Sequence, residues 1–207
     1  MNNQFDALII GGGVSGISCA LVLGSAKNKP IASNKKIGIF THQKSSALQE
    51  AVFNNAYGIA PGKLGSELLD ESTAHLSELY PHIIQIPNEK IIEIQGAFPE
   101  FTVISNKNTY QTKYIIVGVG SANTFDIKGL TEFVVPHQKS LTEKQRIQLQ
   151  NTDHKVTEGI YVIGTLAGCR SQLTIAAGSG AAVATDLLTL WNDGIAVQVH
   201  DSIKKKL

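Results

Sequence analysis

The sequence predicts an α/β fold in which a parallel core sheet carries an inserted, small antiparallel β-meander. Three observations predict it. Continuous apolar runs near both ends of the chain are typical of parallel strands that are covered on both faces. Helical patterns follow the first and the last of these runs, as in a right-handed crossover unit. Segments of alternating character in the middle of the chain indicate antiparallel strands.

The first elements are a strand, a helix and a second strand. Residues 6–12, DALIIGG, form a continuous apolar run, and a helix is predicted over about 14–26. The run KIGIFT at 36–41 follows as a parallel strand. An amphipathic helix is predicted over 65–81, where Pro81 ends it. Its apolar stripe comprises Leu68, Leu69, Leu76 and Leu79.

The meander is predicted from three segments, KIIEIQG (90–96), EFTVISN (100–106) and the start of NTYQTKYIIVGVG (108–120). Its turns are predicted at Gln95-Gly96 and at 106–108. The apolar end of the third segment, YIIVGVG, returns to the main sheet as a buried strand.

The last third of the chain begins with residues 121–158, which are polar and are predicted to be irregular. GIYVIGT at 159–165 is the final buried strand, and a small-residue helix follows over about 172–191. This helix has roughly the length of a membrane span. Its many small residues and Asp186 favour a buried helix instead. The pattern predicts one domain over 1–207.

Composition excludes several function classes. The formal net charge is +1, which gives no electrostatic reason to expect nucleic acid or an anionic membrane as a partner. Cys19 and Cys169 form neither a disulfide framework nor a C-x-x-C pair, which favours a reducing cytoplasm. No metal-ligand cluster, G-x-S-x-G elbow or Walker loop occurs in the sequence.

A glycine turn follows the first strand. Residues 11–16, GGGVSG, satisfy G-x-G-x-x-G at the entrance to a helix. Gly11 permits the tight turn, Gly13 leaves room for a pyrophosphate, and Gly16 lets the helix pack closely on the strand. The helix N-terminus at Val14 and Ser15 supplies N–H groups and a positive dipole end. This predicts a Rossmann-like dinucleotide site, the alternative being a glycine turn without a ligand.

The end of the second strand lacks the carboxylate that usually holds the ribose of NAD or FAD. Thr41 and His42 stand there instead, and a hydroxyl and an imidazole are able to bond a ribose. Alternatively, His42 and Lys44 face the 2′-phosphate of NADP, or they are only a solvated strand end without a ligand.

The C-terminal segment carries a family resemblance. It contains Gly159-Ile160-Tyr161, then Gly164-Thr165, then Gln172 followed by AAGSG at 176–180. This pattern resembles the low-molecular-weight thioredoxin reductases, which are FAD flavoproteins. The resemblance implies an FAD-binding domain in which the helix N-terminus at Gln172 and Leu173 faces the flavin pyrimidine, where negative charge grows on reduction.

Other segments resemble the same family in register, so the resemblance covers nearly the whole chain. They are NNAYGIAPGKLGSELL (54–69), YIIVGVGSAN (114–123) and DIKGLTEF (126–133). The resemblance implies flavin contacts at Gln49, Asn55 and Gly120, and a homodimer as the common assembly.

The chain also departs from this family. The family places a complete nicotinamide-binding domain, with a redox C-x-x-C, between the segments that correspond to Leu130 and Gly159. Residues 131–158 here contain no glycine turn and no cysteine. Thr165 stands where the family has an Asp that bonds the ribityl chain. We therefore expect a flavin-binding domain that lacks its own hydride-delivery module and holds FAD less tightly.

Two residues are weak catalytic candidates. Cys169 precedes the flavin-facing helix and is either a reactive thiol or an inert loop thiol. His137 lies where the chain bypasses the missing domain and is either a proton donor near the flavin or a surface histidine. Arg170 is a candidate partner for a reduced flavin or an anionic substrate, with a surface salt bridge as the alternative.

Three functions are compatible with these residues. The first is an FAD-dependent oxidoreductase that receives electrons from a small-molecule substrate, from directly docking NAD(P)H or from a redox partner protein. The second is a non-catalytic FAD-binding redox sensor or interaction protein. The third is an NADP-binding protein without flavin.

Overall fold

A computed structural model describes residues 3–42 and 46–199. Its α-helices are α1 (Val14–Ser25), α2 (Gly65–Leu79) and α3 (Leu173–Trp191). Its strands are β1 (Gln4–Ile10), β2 (Ile37–Phe40), β3 (Val52–Phe53), β4 (Lys63–Leu64), β5 (Ile83–Ile86), β6 (Ile91–Ala97), β7 (Glu100–Ser105), β8 (Thr109–Val117), β9 (Val134–Pro136), β10 (Ile147–Leu149), β11 (Lys155–Thr157) and β12 (Ile160–Val162).

The main sheet has the strand order β11-β12-β8-β1-β2-β5. Its five strands from β12 to β5 are parallel, and β11 pairs with β12 in the antiparallel sense at one edge. The meander of β6 and β7 joins the sheet through β8. Strands β9 and β10 form a separate antiparallel hairpin, as do β3 and β4. The predicted α/β fold, with its parallel core and inserted meander, is confirmed.

The first strand shows why its sequence has no alternation. Ala7 and Ile9 belong to one apolar cluster, which includes residues of α1 and α3. Leu8 and Ile10 belong to a second cluster, which includes residues of the meander. All four side chains are almost completely buried. Because both faces of the sheet are covered along this part of β1, every position from Ala7 to Ile10 is apolar.

Two local predictions, the position of the first meander turn and the burial of Leu79, were wrong. The first meander turn lies at Phe98-Pro99, not at Gln95-Gly96, because Gly96 still pairs with Phe101 in the ladder and proline ends it. Leu79 of the predicted apolar stripe is 53% exposed, since it lies in the last turn of α2 beyond the buried Leu76.

Short strands were also missed. Residues 121–158 are not irregular throughout, because they contain β9, β10 and β11, each of only three residues. The core strand β5 was not predicted either. Its four residues, IIQI, begin shortly after the end of α2. They are too few to form the long apolar run that predicts a buried strand.

Helix α3 is long and apolar enough to span a membrane by length and composition, with a mean hydropathy of 1.4. A third of the residues in the apolar stretch of this helix are buried within the protein. Its buried residues include Val183, Ala184, Leu187 and Leu188, which belong to the cluster that covers β1. The helix therefore has the packing of a core helix.

Helices α1 and α3 approach each other very closely. A Cβ atom on Gly180 would lie 1.9 Å from the carbonyl oxygen of Ser15. Beside this contact, the Ser18 hydroxyl donates a hydrogen bond to the carbonyl of Ala177, at 2.8 Å. The small-residue pattern of α3 thus places its first turns directly against the first turns of α1.

We expect Gly180→Ala to lower the free energy of unfolding by about 3 kcal/mol, because the new methyl group would overlap the Ser15 backbone. Gly178→Ala is the matched control, since a Cβ there meets no atom within 4 Å. Higher helix propensity should make this control neutral or stabilising by up to about 1 kcal/mol. Urea denaturation measures both variants, and equal effects would contradict the close crossing.

Candidate functional site

A cleft of about 990 Å³ opens at the carboxyl ends of β1, β2, β8 and β12. This edge of an open parallel sheet is where ligands bind in α/β folds. The volume is at the upper end of the range for cofactor and ligand sites. The sequence-predicted residues that line the cleft are Gly11, Gly13, Val14, Ser15, His42, Asn55, Gly120, His137, Gly164, Thr165, Gln172 and Leu173.

The glycine turn forms one wall of the cleft. Gly11 has φ +120°, and a Cβ there would lie 2.5 Å from the carbonyl oxygen of Gly118. By contrast, a Cβ on Gly13 would meet no atom within 4 Å, because this position faces the open cleft. The turn is therefore tight at Gly11 and leaves an uncovered backbone at Gly13, as a bound pyrophosphate requires.

Two helices begin at this cleft. Gly13 is the N-cap of α1 and Gln172 is the N-cap of α3, and within the described residues no side chain caps either helix. Their first N–H groups therefore have no side-chain partner, and the residues at both positive helix ends line the cleft. Such helix ends favour negatively charged groups.

The wall after β12 depends on a hydrogen bond that the sequence analysis did not identify. Gly164 adopts φ +67°, and its N–H donates to the Ser179 hydroxyl at 2.8 Å. Ser179 lies on α3 and is 6% exposed. This bond holds the segment that carries Thr165 against α3, so that Thr165, Gln172 and Leu173 line the cleft together.

A buried carboxylate lies at another wall. Glu89 is 7% exposed and accepts hydrogen bonds from Ser105, Asn108 and the Tyr110 hydroxyl, the last at 3.0 Å. Burial acts to raise the pKa of Glu89, but these hydrogen bonds and the charge of Lys107 outweigh it and lower the pKa. Burial and the bond to Glu89 raise the pKa of Tyr110 to about 12. The hydrogen bonds of the ionised Glu89 therefore connect this wall of the cleft to the meander.

Three of the predicted cofactor-binding residues do not line the cleft. Gly16 packs instead against the turn, where a Cβ would lie 1.8 Å from the Gly11 carbonyl oxygen. Thr41 is half-buried and its N–H donates to the carbonyl of Ile86. Gln49 is exposed. Lys44, the candidate partner for a 2′-phosphate, lies outside the described residues.

The two cysteines differ in environment. Cys19 is fully buried between the helices, and burial raises the pKa of its thiol to about 12. Cys169 is half-buried and its N–H donates to the Gly164 carbonyl at 3.4 Å, but it is not part of the cleft lining. Arg170 is exposed and also lies outside the lining.

His137 is not a surface histidine. It is 8% exposed and lines the cleft from the end of β9. Its Nδ1 accepts a hydrogen bond from the N–H of Lys139 at 3.1 Å. Because Nδ1 acts as an acceptor, a neutral ring carries its proton on Nε2, where it is a potential proton donor.

The hairpin of β9 and β10 contributes His137, which the sequence analysis identified, and four further cleft residues that it missed. These four are Lys139, Ser140, Lys144 and Arg146. The basic character of HQKSLTEKQR (137–146) was a possible signal. Only the pairing of β9 with β10 brings both ends of that segment to the cleft.

Comparison with known proteins identifies a family. The sequence profile of the family described as pyridine nucleotide-disulphide oxidoreductase matches residues 5–180. A curated relative is an uncharacterized oxidoreductase, CzcO, from Bacillus velezensis, 26% identical over 152 residues. That match covers 69% of this chain and 44% of the relative, so the chain spans less than half of its length.

Solved structures share the fold. A thioredoxin reductase from Gloeobacter violaceus matches with a TM-score of 0.72 and 13% identity, covering 98% of this chain and all of that chain. A ferredoxin-flavin thioredoxin reductase from Clostridium acetobutylicum matches with a TM-score of 0.66 and 17% identity, covering 92% and 99%. A thioredoxin reductase from T. acidophilum has a TM-score of 0.66 and 15% identity, covering 94% of this chain and all of that chain.

We expect Glu89→Gln to cost about 2 kcal/mol at neutral pH, because an amide cannot accept all the hydrogen bonds that the carboxylate accepts. The lowered pKa means that the native carboxylate stabilises the fold above its unfolded pKa and loses this effect as the pH falls through its folded value. The variant should therefore lose less stability on acidification below about pH 4.5.

Urea denaturation across a pH series measures this difference, with Glu132→Gln as an exposed control. Parallel pH curves for Glu89→Gln and the native protein would contradict the assignment.

We expect iodoacetamide to label the native protein at Cys169 alone, since Cys19 is inaccessible and protonated. Peptide mass spectrometry locates the label, and denaturant should release Cys19 for a second one. Labelling of Cys19 in the native state would show that the contact between α1 and α3 opens.

Proposed function

The chain belongs to the pyridine nucleotide-disulphide oxidoreductase family, and on this premise we propose that it binds FAD in the cleft and acts as an FAD-dependent oxidoreductase. The observation that carries the proposal is the cradle at Gly13, where a Cβ would point into open space beside two uncapped helix N-termini. A diphosphate fits such a cradle because the exposed N–H groups bond its oxygens without a side chain.

The cleft also offers groups for the other parts of FAD. His42 lies at the β2 end, where the ribose of a dinucleotide is held in this type of fold. Thr165 lines the cleft and would offer a hydroxyl to the ribityl chain, and Gln172 and Leu173 at the start of α3 would supply backbone N–H groups to the flavin. The residues present therefore fit the cofactor, with a hydroxyl at position 165 in place of a charge.

FAD supplies reversible two-electron chemistry when bound. The chain's own residues would bind it, orient it and handle charge. The N-terminal end of α3 stabilises negative charge near Leu173, because its N–H groups and dipole are fixed before reaction. His137 holds a proton on Nε2 at the cleft wall and is the proposed donor to a reduced substrate.

The electron donor is part of the proposal. Residues 131–158 form the hairpin of β9 and β10 and the edge strand β11, not a nicotinamide-binding unit. The electrons would therefore come from a substrate, from NAD(P)H that docks directly on the cleft, or from a redox partner protein. The similar structures are two thioredoxin reductases and a ferredoxin-flavin thioredoxin reductase, and these activities are compatible with more than one of these sources.

The first test is the visible absorption spectrum of the purified protein, before and after incubation with FAD. We expect flavin bands, with FAD identified as the released cofactor after denaturation. A protein that stays colourless with excess FAD would overturn the proposal. The glycine turn would then bind NADP or no ligand.

We expect Gly13→Val to abolish FAD binding without unfolding the protein, because its side chain would fill the cradle from a position where a Cβ meets no protein atom within 4 Å. Fluorescence titration measures FAD affinity and circular dichroism checks the fold. Gly178→Ala is the control, since it changes a glycine of α3 outside the cleft lining. Unchanged FAD affinity in Gly13→Val would place the diphosphate elsewhere.

We expect Thr165→Asp to tighten FAD binding by about tenfold, which corresponds to one added charged hydrogen bond of about 1.4 kcal/mol. The same titration measures the dissociation constant, with Thr165→Ser as the control that keeps a hydroxyl. An unchanged constant in Thr165→Asp would mean that position 165 does not contact the ribityl chain.

A further inference from the structure

We propose that the tip of the β9–β10 hairpin, residues 137–146, binds the diphosphate group of a second small molecule, the substrate that exchanges electrons with the cofactor. This inference rests on the proposed function, because it names the chemical class of the substrate that shares the cleft. It concerns a part of the wall that the glycine turn and the two helix ends do not form.

Three cations of this hairpin tip line the cleft. They are Lys139, Lys144 and Arg146, and all three side chains are exposed to it. Across residues 3–42 and 46–199, none of them forms an ion pair or a side-chain hydrogen bond.

Other charged residues of the cleft already have partners. Lys90 also lines it, but its ammonium lies 2.7 Å from the carboxylate of Asp126. The Glu89 carboxylate is occupied by its hydrogen bonds from the meander. Glu143 lies on the hairpin tip but is not part of the lining. The hairpin therefore presents unpaired positive charge to the cleft in a protein whose formal net charge is only +1.

The hairpin is held firmly at one end of the cleft. The N–H of Ile147 donates to the carbonyl of Ser121 at 3.0 Å, next to the segment that follows β8. Gln148 is 8% exposed, and its Oε1 accepts a hydrogen bond from the N–H of Gln138 at 3.0 Å. A Cβ on Gly168 would lie 2.7 Å from that Oε1, so the hairpin also packs against the loop that begins with Thr165.

The hairpin cations and the glycine turn belong to different segments of the cleft wall. The turn follows β1, whereas the hairpin is anchored to the segments after β8 and β12. The diphosphate of the cofactor has its own cradle at Gly13, which uses backbone N–H groups and a helix dipole and needs no cation. The hairpin tip is therefore a second anion-binding region beside Thr165, the end proposed for the flavin.

The residue types favour phosphate oxygens. A guanidinium binds such oxygens in a bidentate manner, and lysine adds a mobile point charge. Ser140 also lines this wall and contributes a hydroxyl. Because these groups face a concave cleft, a small molecule reaches them more readily than the surface of a protein partner does.

The test is isothermal titration of the FAD-loaded protein with inorganic pyrophosphate and, separately, with NADP⁺, which cannot reduce the flavin. The variant is Lys144→Ala/Arg146→Ala, and Lys128→Ala is the control because Lys128 is exposed and lies outside the cleft lining. Fluorescence titration measures FAD affinity in each variant.

We expect pyrophosphate to bind the native protein at one site, at least about tenfold more weakly in the double variant and unchanged in the control. FAD affinity should be unchanged in both. Tighter binding of NADP⁺ than of pyrophosphate would identify the substrate as a dinucleotide. Binding of pyrophosphate alone would identify another diphosphate ester. Both results support the site.

Three results would overturn the inference: no pyrophosphate binding to the FAD-loaded protein, equal binding to the double variant, or a parallel loss of FAD affinity. The last result would mean that the cations hold the diphosphate of the cofactor. If the protein takes up no FAD, the proposed function fails separately. Titration of the Gly13→Val protein with pyrophosphate then still tests the hairpin, because that variant blocks the cradle at the glycine turn.

Discussion

The close packing around Ser15 is the constraint on which the rest of the structure depends. Three glycines surround this one residue: Cβ atoms on Gly180, Gly164 and Gly118 would lie 1.9, 2.8 and 3.1 Å from its carbonyl or side-chain oxygen. Each of them comes from a different segment, namely α3, the loop after β12 and the loop after β8. Without side chains at these positions, the three segments converge on the first turn of α1.

This convergence produces the electrostatics of the cleft. It brings the N-terminal ends of α1 and α3 to one place, so that two positive helix ends act on the same space. The hydrogen bond from the Gly164 N–H to the Ser179 hydroxyl then holds the loop that carries Thr165 against α3. The cleft is thus rigid where a cofactor would bind, and its backbone donors are oriented before a ligand arrives.

The hairpin of β9 and β10 forms an outer wall of the cleft. Its tip carries Lys139, Lys144 and Arg146, which form no ion pair within the part of the chain that the structure describes. His137 lies at the base of that tip with a tautomer set by the Lys139 backbone. One short segment therefore brings both positive charge and the His137 imidazole to the cleft.

The amino-acid sequence by itself determined the sheet core apart from β5, the glycine turn at Gly11 and Gly13, and the helix that begins after Gln172. These are local signals. The apolar pattern of a strand, and glycine at a position where a side chain would not fit, are both visible in consecutive residues. Only the tertiary structure decided that Glu89 is anchored by Tyr110, that Ser179 holds Gly164, and that the hairpin cations reach the cleft. Each of these contacts joins residues far apart in the chain or depends on strands of three residues, and short strands acquire their structure from packing rather than from their own sequence.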